Sequence, residues 1–252
     1  MKLSISARAF VTLVIVLGLC VLAYAAVNAN VVQIGHVAVF VVIACVAARL
    51  KVKLPSVTGS MSVNLPFILL AVAEMSLAEA LIVGCISNLT QCLPARGKKF
   101  NAVQAAFNVC TMALAIGATR LFYSSPGIAL RLTSHPLHLA MAAAMFFLVN
   151  TIAVAVVLTL TESNSLGRTW LEMCQLSFPY YLASAGVAGV ALTLASRSDW
   201  QLAVAILPLM LAVFYSYRRY FSGLSQAVAE ALRRPVQSQP AMAAGASAKA
   251  GA

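Results

Sequence analysis

The sequence predicts an all-α protein: a polytopic transmembrane bundle of about eight helices, with an irregular third segment and both ends in the cytoplasm. Three observations predict it. Of 252 residues, 62% are hydrophobic and only 9% charged, whereas a soluble domain carries about a quarter of its residues as Asp, Glu, Lys or Arg. Apolar stretches recur along the chain near the length of about 20 residues that one helical crossing needs. The bases, which set a formal net charge of +11, gather in short clusters between those stretches.

The first apolar stretch is 9–27, preceded by Lys2 and Arg8. Ala23-Tyr24-Ala25 looks like a signal cleavage site, but the stretch outruns a signal core of about 7–15 residues and further apolar helices follow, so it is read as an uncleaved first helix. The second, 31–49, ends in Arg49, Lys51 and Lys53. Residues 54–64 are polar, small and broken by Pro55 and Gly59 before passing into an apolar run from Leu65. Irregular backbone at membrane depth survives only where protein or a water-filled cavity covers it, so this third segment is expected to face inward. Residues 74–79 form an outer turn, with Glu74 and Glu79 solvated there, and 80–93 return towards Arg96, Lys98 and Lys99. Residues 102–123 form the fifth crossing; a loop with His135 and His138 follows, and 139–160 cross again. Residues 170–175 are predicted as a separate interfacial helix, and 176–195 and 202–217 as the last pair of spans. Phe178, Tyr180 and Tyr181 could line a pocket, but aromatics near a span end are more often interface anchors, and they are read as such.

On this path fourteen of the seventeen Lys and Arg residues fall on one side, and only Arg120, Arg131 and Arg197 on the other. Lys and Arg hold their loops in the cytoplasm, which fixes both termini inside. The domain reading is therefore a transmembrane helical domain over 1–222, a short cytoplasmic exit helix over 223–234 stopped by Pro235, and a disordered tail over 235–252 rich in Ala, Ser, Gly and Gln.

Several function classes lose support. The bases do not line one face with stacking aromatics between them, so no nucleic acid partner is expected. The six cysteines are scattered without a CxxC pair, and His135 and His138 lack neighbouring ligands, so no metal, cofactor or disulfide framework is expected. A phosphate loop, HExxH and GxSxG are all missing, so the chain is not read as an enzyme and no catalytic residue is assigned. The lipid bilayer is its first partner.

Polar side chains inside the spans mark where a small polar ligand could bind. Thr58, Ser60, Ser62 and Asn64 enter from the inner side, with Asn88 and Gln91 at similar depth on the returning helix. Gln104 and Asn108 sit in the inner half of the fifth helix and Asn150 near the middle of the sixth. An amide unpaired in hydrocarbon is costly, so these groups must turn to one another or to a cavity. Two readings stay open: interhelical hydrogen bonds that fix the bundle, or a ligand pocket closed by residues 58–64.

The string Leu50-Lys51-Val52-Lys53-Leu54-Pro55-Ser56-Val57-Thr58-Gly59-Ser60-Met61-Ser62-Val63-Asn64 resembles the multi-helix membrane sensor regions found ahead of GGDEF or HD-GYP domains in bacterial cyclic-di-GMP signalling proteins. The likeness continues through Phe67-Ile68-Leu69-Leu70, Glu74-Met75-Ser76-Leu77-Ala78-Glu79-Ala80, Gln104-Ala105-Ala106-Phe107-Asn108-Val109 and Tyr217-Arg218-Arg219-Tyr220. In that family a cytoplasmic output domain follows; here residues 235–252 stand in its place. The resemblance implies a non-catalytic sensor in the bacterial cytoplasmic (inner) membrane, signalling to a separate GGDEF or HD-GYP type protein. The alternative expectation is a small-solute transporter, or the substrate-binding subunit of one, with an architecture similar to energy-coupling-factor systems.

Overall fold

The computed structural model describes residues 4–29, 33–53, 60–94, 100–129, 135–162 and 165–194, together with separate helical positions between Pro208 and Gly223. Thr58, the connector 95–99, Arg131, Arg197, most of the predicted last span, residues 224–234 of the exit helix and the tail lie outside the described residues.

The described chain is helical. It runs α1 (Ile5–Val27), α2 (Ile34–Arg49), β1 (Lys51–Lys53), β2 (Ser60–Ser62), α3 (Leu65–Glu74), α4 (Leu77–Cys92), α5 (Ala102–Tyr123), α6 (Pro126–Ala129), α7 (His135–Glu162) and α8 (Leu166–Leu194). Helices Ile5–Val27, Ala102–Tyr123 and the Leu137–Thr161 part of α7 are long and apolar enough to cross a membrane. At 1.5 Å per residue, 23 residues of α1 extend about 35 Å, beyond a hydrocarbon core of about 30 Å.

Local chemistry explains the boundaries. Ser4 caps α1 by accepting from the Ala7 N–H at 3.2 Å, satisfying a donor that the first helical turn leaves without a partner. Asn28 closes its other end through its own N–H and its side-chain amide, both donating to Tyr24 O. Asn101 caps α5 by accepting from Gln104 N. The Ser76–Glu79 capping box starts α4.

Contacts fix helix directions. At one end, Ser4 Oγ donates to Leu160 O at 3.2 Å, bringing the start of α1 to the end of α7. Phe10 meets Phe107, joining the starts of α1 and α5. Lys51 Nζ donates to Gln91 O, joining β1 to the end of α4. At the opposite end Gln33 N donates to Glu79 Oε1 at 3.0 Å, joining the starts of α2 and α4. Arg120 donates to Val72 O, joining the ends of α5 and α3. Tyr123 stacks on His138 with ring centroids 4.3 Å apart, joining the end of α5 to the start of α7. Consecutive long helices therefore alternate in direction.

α3 sits in the middle, packed against α2, α4, α5, α7 and α8. Its residues Leu65 to Val72 are all buried, and Phe67 and Leu69 are wholly inaccessible. Before it, β1 and β2 pair antiparallel, with Lys51 opposite Ser62 and Lys53 opposite Ser60. The sequence expectation of an irregular, inward-facing third segment thus meets a three-residue pairing followed by a half-length buried helix.

Four local expectations are corrected. Residues 170–175 are not a separate interfacial helix but part of the continuous α8, which carries Pro179 inside it. A backbone helix persists through a polar patch as long as nothing breaks its hydrogen bonds. His135 and His138 open α7 instead of lying in a loop. Glu79 is 8% exposed within α4, whereas Glu74 is exposed as expected. Tyr180 and Tyr181 are core residues, 6% and 9% exposed, not interface anchors.

Candidate functional site

The polar residues selected from the sequence separate into three places, and the first of them joins the largest number of elements. Ser62 ends β2 and Asn64 precedes α3; both are buried. Ser62 Oγ donates to Asn64 Oδ1 at 2.7 Å, and Asn64 Nδ2 donates to Ser87 Oγ of α4 at 3.1 Å. Ser87 in turn donates to Gly84 O at 3.0 Å. Gln91 Oε1 stands 3.0 Å from Ser62 Oγ. A serine hydroxyl carries one proton, which Ser62 directs to Asn64 Oδ1 at the shorter distance, with Gln91 Oε1 as the second acceptor within reach. Donation runs from Ser62 through Asn64 and Ser87 to the Gly84 carbonyl.

From α8, Tyr180 donates its hydroxyl to Ser62 O at 2.6 Å across 118 residues of chain. Hairpin, α3, α4 and α8 therefore converge on Ser62 and Asn64. Asn64 makes no side-chain cap on α3, because its amide is committed to the two serines. Leaving a buried partner of this kind unmatched costs about 1–3 kcal/mol.

The second place joins α4 to α5: Asn88 Nδ2 donates to Asn108 O at 2.8 Å, and Asn108 Nδ2 reaches Cys92 Sγ at 3.4 Å. The third joins α7 to α8, where Asn150 Nδ2 donates to Tyr181 OH at 3.1 Å beside Phe146 and Phe147. Gln104 belongs to neither: it is exposed on the first turn of α5. Ser60 lies in β2, opposite Lys53, and Thr58 lies outside the described residues.

Gln91, expected at this depth, completes the first place together with Ser87 and Tyr180, which the sequence did not assign to it. Serine on an apolar helix reads as a small packing residue, and nothing in spacing relates Tyr180 to Ser62. Ser87 had a signal, since it lies one helical turn before Gln91 and so shares its face.

The opposite end holds the titratable groups. Glu79, just before the apolar stretch of α4, accepts from Ser76 N at 2.9 Å, Ser76 Oγ at 2.8 Å and Gln33 N at 3.0 Å. Burial alone would raise its carboxyl, but these donors and the nearby His36 outweigh it and hold the group below the usual carboxylate range. Arg120 serves α3 by donating to the Val72 carbonyl, one of those in the last turn that a helix leaves unpaired. His36 packs edge-on against Phe40, and His138 stacks on Tyr123. Among the described residues no group of three His, Cys, Asp or Glu side chains could hold a metal ion.

Comparison with protein-family models, with curated proteins and with solved structures finds no match for this chain.

Proposed function

We propose that this protein is a multi-pass sensor of the bacterial inner membrane, binding a small polar ligand and signalling to a separate cytoplasmic protein of the GGDEF or HD-GYP type. In this reading the chain crosses about eight times, as α1, α2, the hairpin with α3, α4, α5, α7, α8 and residues 202–217. The end that gathers Arg8, Arg49, Lys51 and Arg168 faces the cytoplasm.

One observation carries the reading: a half-length helix begins on a buried polar network shared by four elements. Ten residues of helix reach about 15 Å, half the depth of a bilayer core. Interrupted helices at that depth bring polar backbone to a place where lipid-facing helices have none. A ligand that competed for the Asn64 amide would loosen Ser62, and Ser62 O is what Tyr180 of α8 holds. The resemblance of residues 50–64 to sensor regions supplies the signalling half of the proposal.

The same half-helix also favours a transporter reading, because discontinuous helices near mid-depth form substrate sites in secondary transporters. Uptake separates the two. Proteoliposomes that accumulate a solute which also shifts the melting temperature would establish transport. A ligand-dependent thermal shift without uptake, with co-purification of a GGDEF or HD-GYP protein, is the expected outcome for a sensor. If Asn64→Ala and Asn108→Ala leave the protein folded with its ligand response unchanged, these amides do not form the site.

A further inference from the structure

We infer that the end of the bundle carrying Arg8, Arg49, Lys51 and Arg168 is a docking surface for anionic phospholipid headgroups, selective for them over zwitterionic ones. The inference goes beyond ligand sensing and rests only on the membrane reading of the chain.

Contacts bring these bases to one end although they come from four separate elements. The Ser4–Leu160 hydrogen bond places the α1 start, with Arg8, beside the α7 end, and α8 begins four residues after α7 closes, with Arg168 in its first turn. The Lys51–Gln91 bond places Arg49 and Lys51 beside the α4 end. Arg8, Arg49, Lys51 and Arg168 are all exposed. Lys53 lies in the same hairpin.

Acidic residues offset this charge only in part. Glu162 and Glu172 are the acids of the described elements here, and the Arg168–Glu172 pair leaves the Arg168 side chain 83% exposed. The opposite end differs in sign: its described elements hold Glu74 and Glu79 beside Arg120. Exposed bases ringing apolar helices lie where lipid phosphates sit, and the complementary charge there is that of an anionic headgroup.

The test uses the full chain in nonionic detergent and compares phosphatidylglycerol, phosphatidylcholine of the same acyl chains, and inorganic phosphate. Phosphatidylglycerol is expected to raise the melting temperature above phosphatidylcholine, with the difference shrinking as salt is added. Removing each base is expected to weaken phosphatidylglycerol binding about fivefold, so that R8Q/R49Q/K51Q/R168Q loses the preference while the Lys–Arg exchanges keep it. Equal stabilisation by the two lipids, or an equal effect of free phosphate, overturns the inference, and the wild-type comparison decides even where the quadruple variant does not insert. No response to either lipid strikes the membrane reading itself, which separates the two failures.

Discussion

α1 and α3 are both strongly apolar, yet they live in different surroundings. α1 is the longer, at 23 residues, and exposes Leu13, Val16, Leu17 and Leu19, each about half accessible. Its buried positions Ala7, Val11, Val14 and Gly18 form one narrow stripe, the spacing of a helix with a single packed seam. α3 has 10 residues and buries every side chain from Leu65 to Val72. One helix faces its solvent over most of its girth; the other is enclosed by protein all round. Hydrophobicity alone does not distinguish them. Length and polar anchoring do: α1 is capped at both ends by its own flanking Ser4 and Asn28, whereas α3 begins at Asn64, bonded to Ser87 of α4, and ends on a carbonyl taken by Arg120 of α5.

Substitutions can test this contrast. Leu17→Arg puts a charge at the centre of the exposed face of α1, and membrane insertion is expected to lose about 3 kcal/mol; expression at wild-type level as a water-soluble protein would show that water, not lipid, covers that face. Gly18→Leu acts on the packed stripe instead. A Cβ at Gly18 would lie 2.5 Å from Cys110 Cβ and 2.7 Å from its Cα, so backbone must move and the melting temperature should fall as for a loss of about 3 kcal/mol. Gly35, with nothing near its Cβ direction, provides the control.

Asn64→Ala removes the amide that serves Ser62 and Ser87 and is expected to cost about 2 kcal/mol in chemical denaturation. Combined with Ser87→Ala it should cost less than the two single changes added, because one hydrogen bond is lost in both. Additive costs would place the two side chains in separate environments.

Glu79 provides a pH test. Its folded carboxyl lies below the ordinary value of 4.5, so its contribution is present above that value and is lost as pH falls through the lower folded value. Glu79→Gln is expected to cost about 1.5 kcal/mol near neutrality and to flatten the acid limb of the stability profile. An unchanged acid limb would assign that limb to other groups. The smallest effect is expected at Tyr180→Phe, about 0.6 kcal/mol, the mean for a hydrogen bond between membrane helices. Under the proposed sensor reading, this variant should change ligand response more than stability, since the hydroxyl ties α8 to the hairpin.

Much of the helical pattern was legible because apolar runs have measurable length. The fifth helix occupies 102–123 in both the sequence reading and the structure, where Asn101 gives a local start. The sixth extends further, from 139–160 to His135–Glu162, since a helix continues past its apolar core while backbone bonds can form. The site was legible in part. Ser62 and Asn64 announced themselves as polar groups before an apolar run, but Gln104 carried the same signal and is exposed. Glu79 misled for a related reason: a carboxylate beside a turn reads as solvated, and only Gln33 and Ser76 make it buried.

By itself the sequence determined that long apolar helices alternate with basic connectors, because the solvent preference of a side chain is a local property. Tertiary structure decided which of those helices is enclosed and which polar groups meet. The hydrogen bond from Tyr180 to Ser62 and the one from Arg120 to Val72 depend on the relative placement of distant elements. No periodicity records that placement, since it is set by how the whole bundle closes around α3.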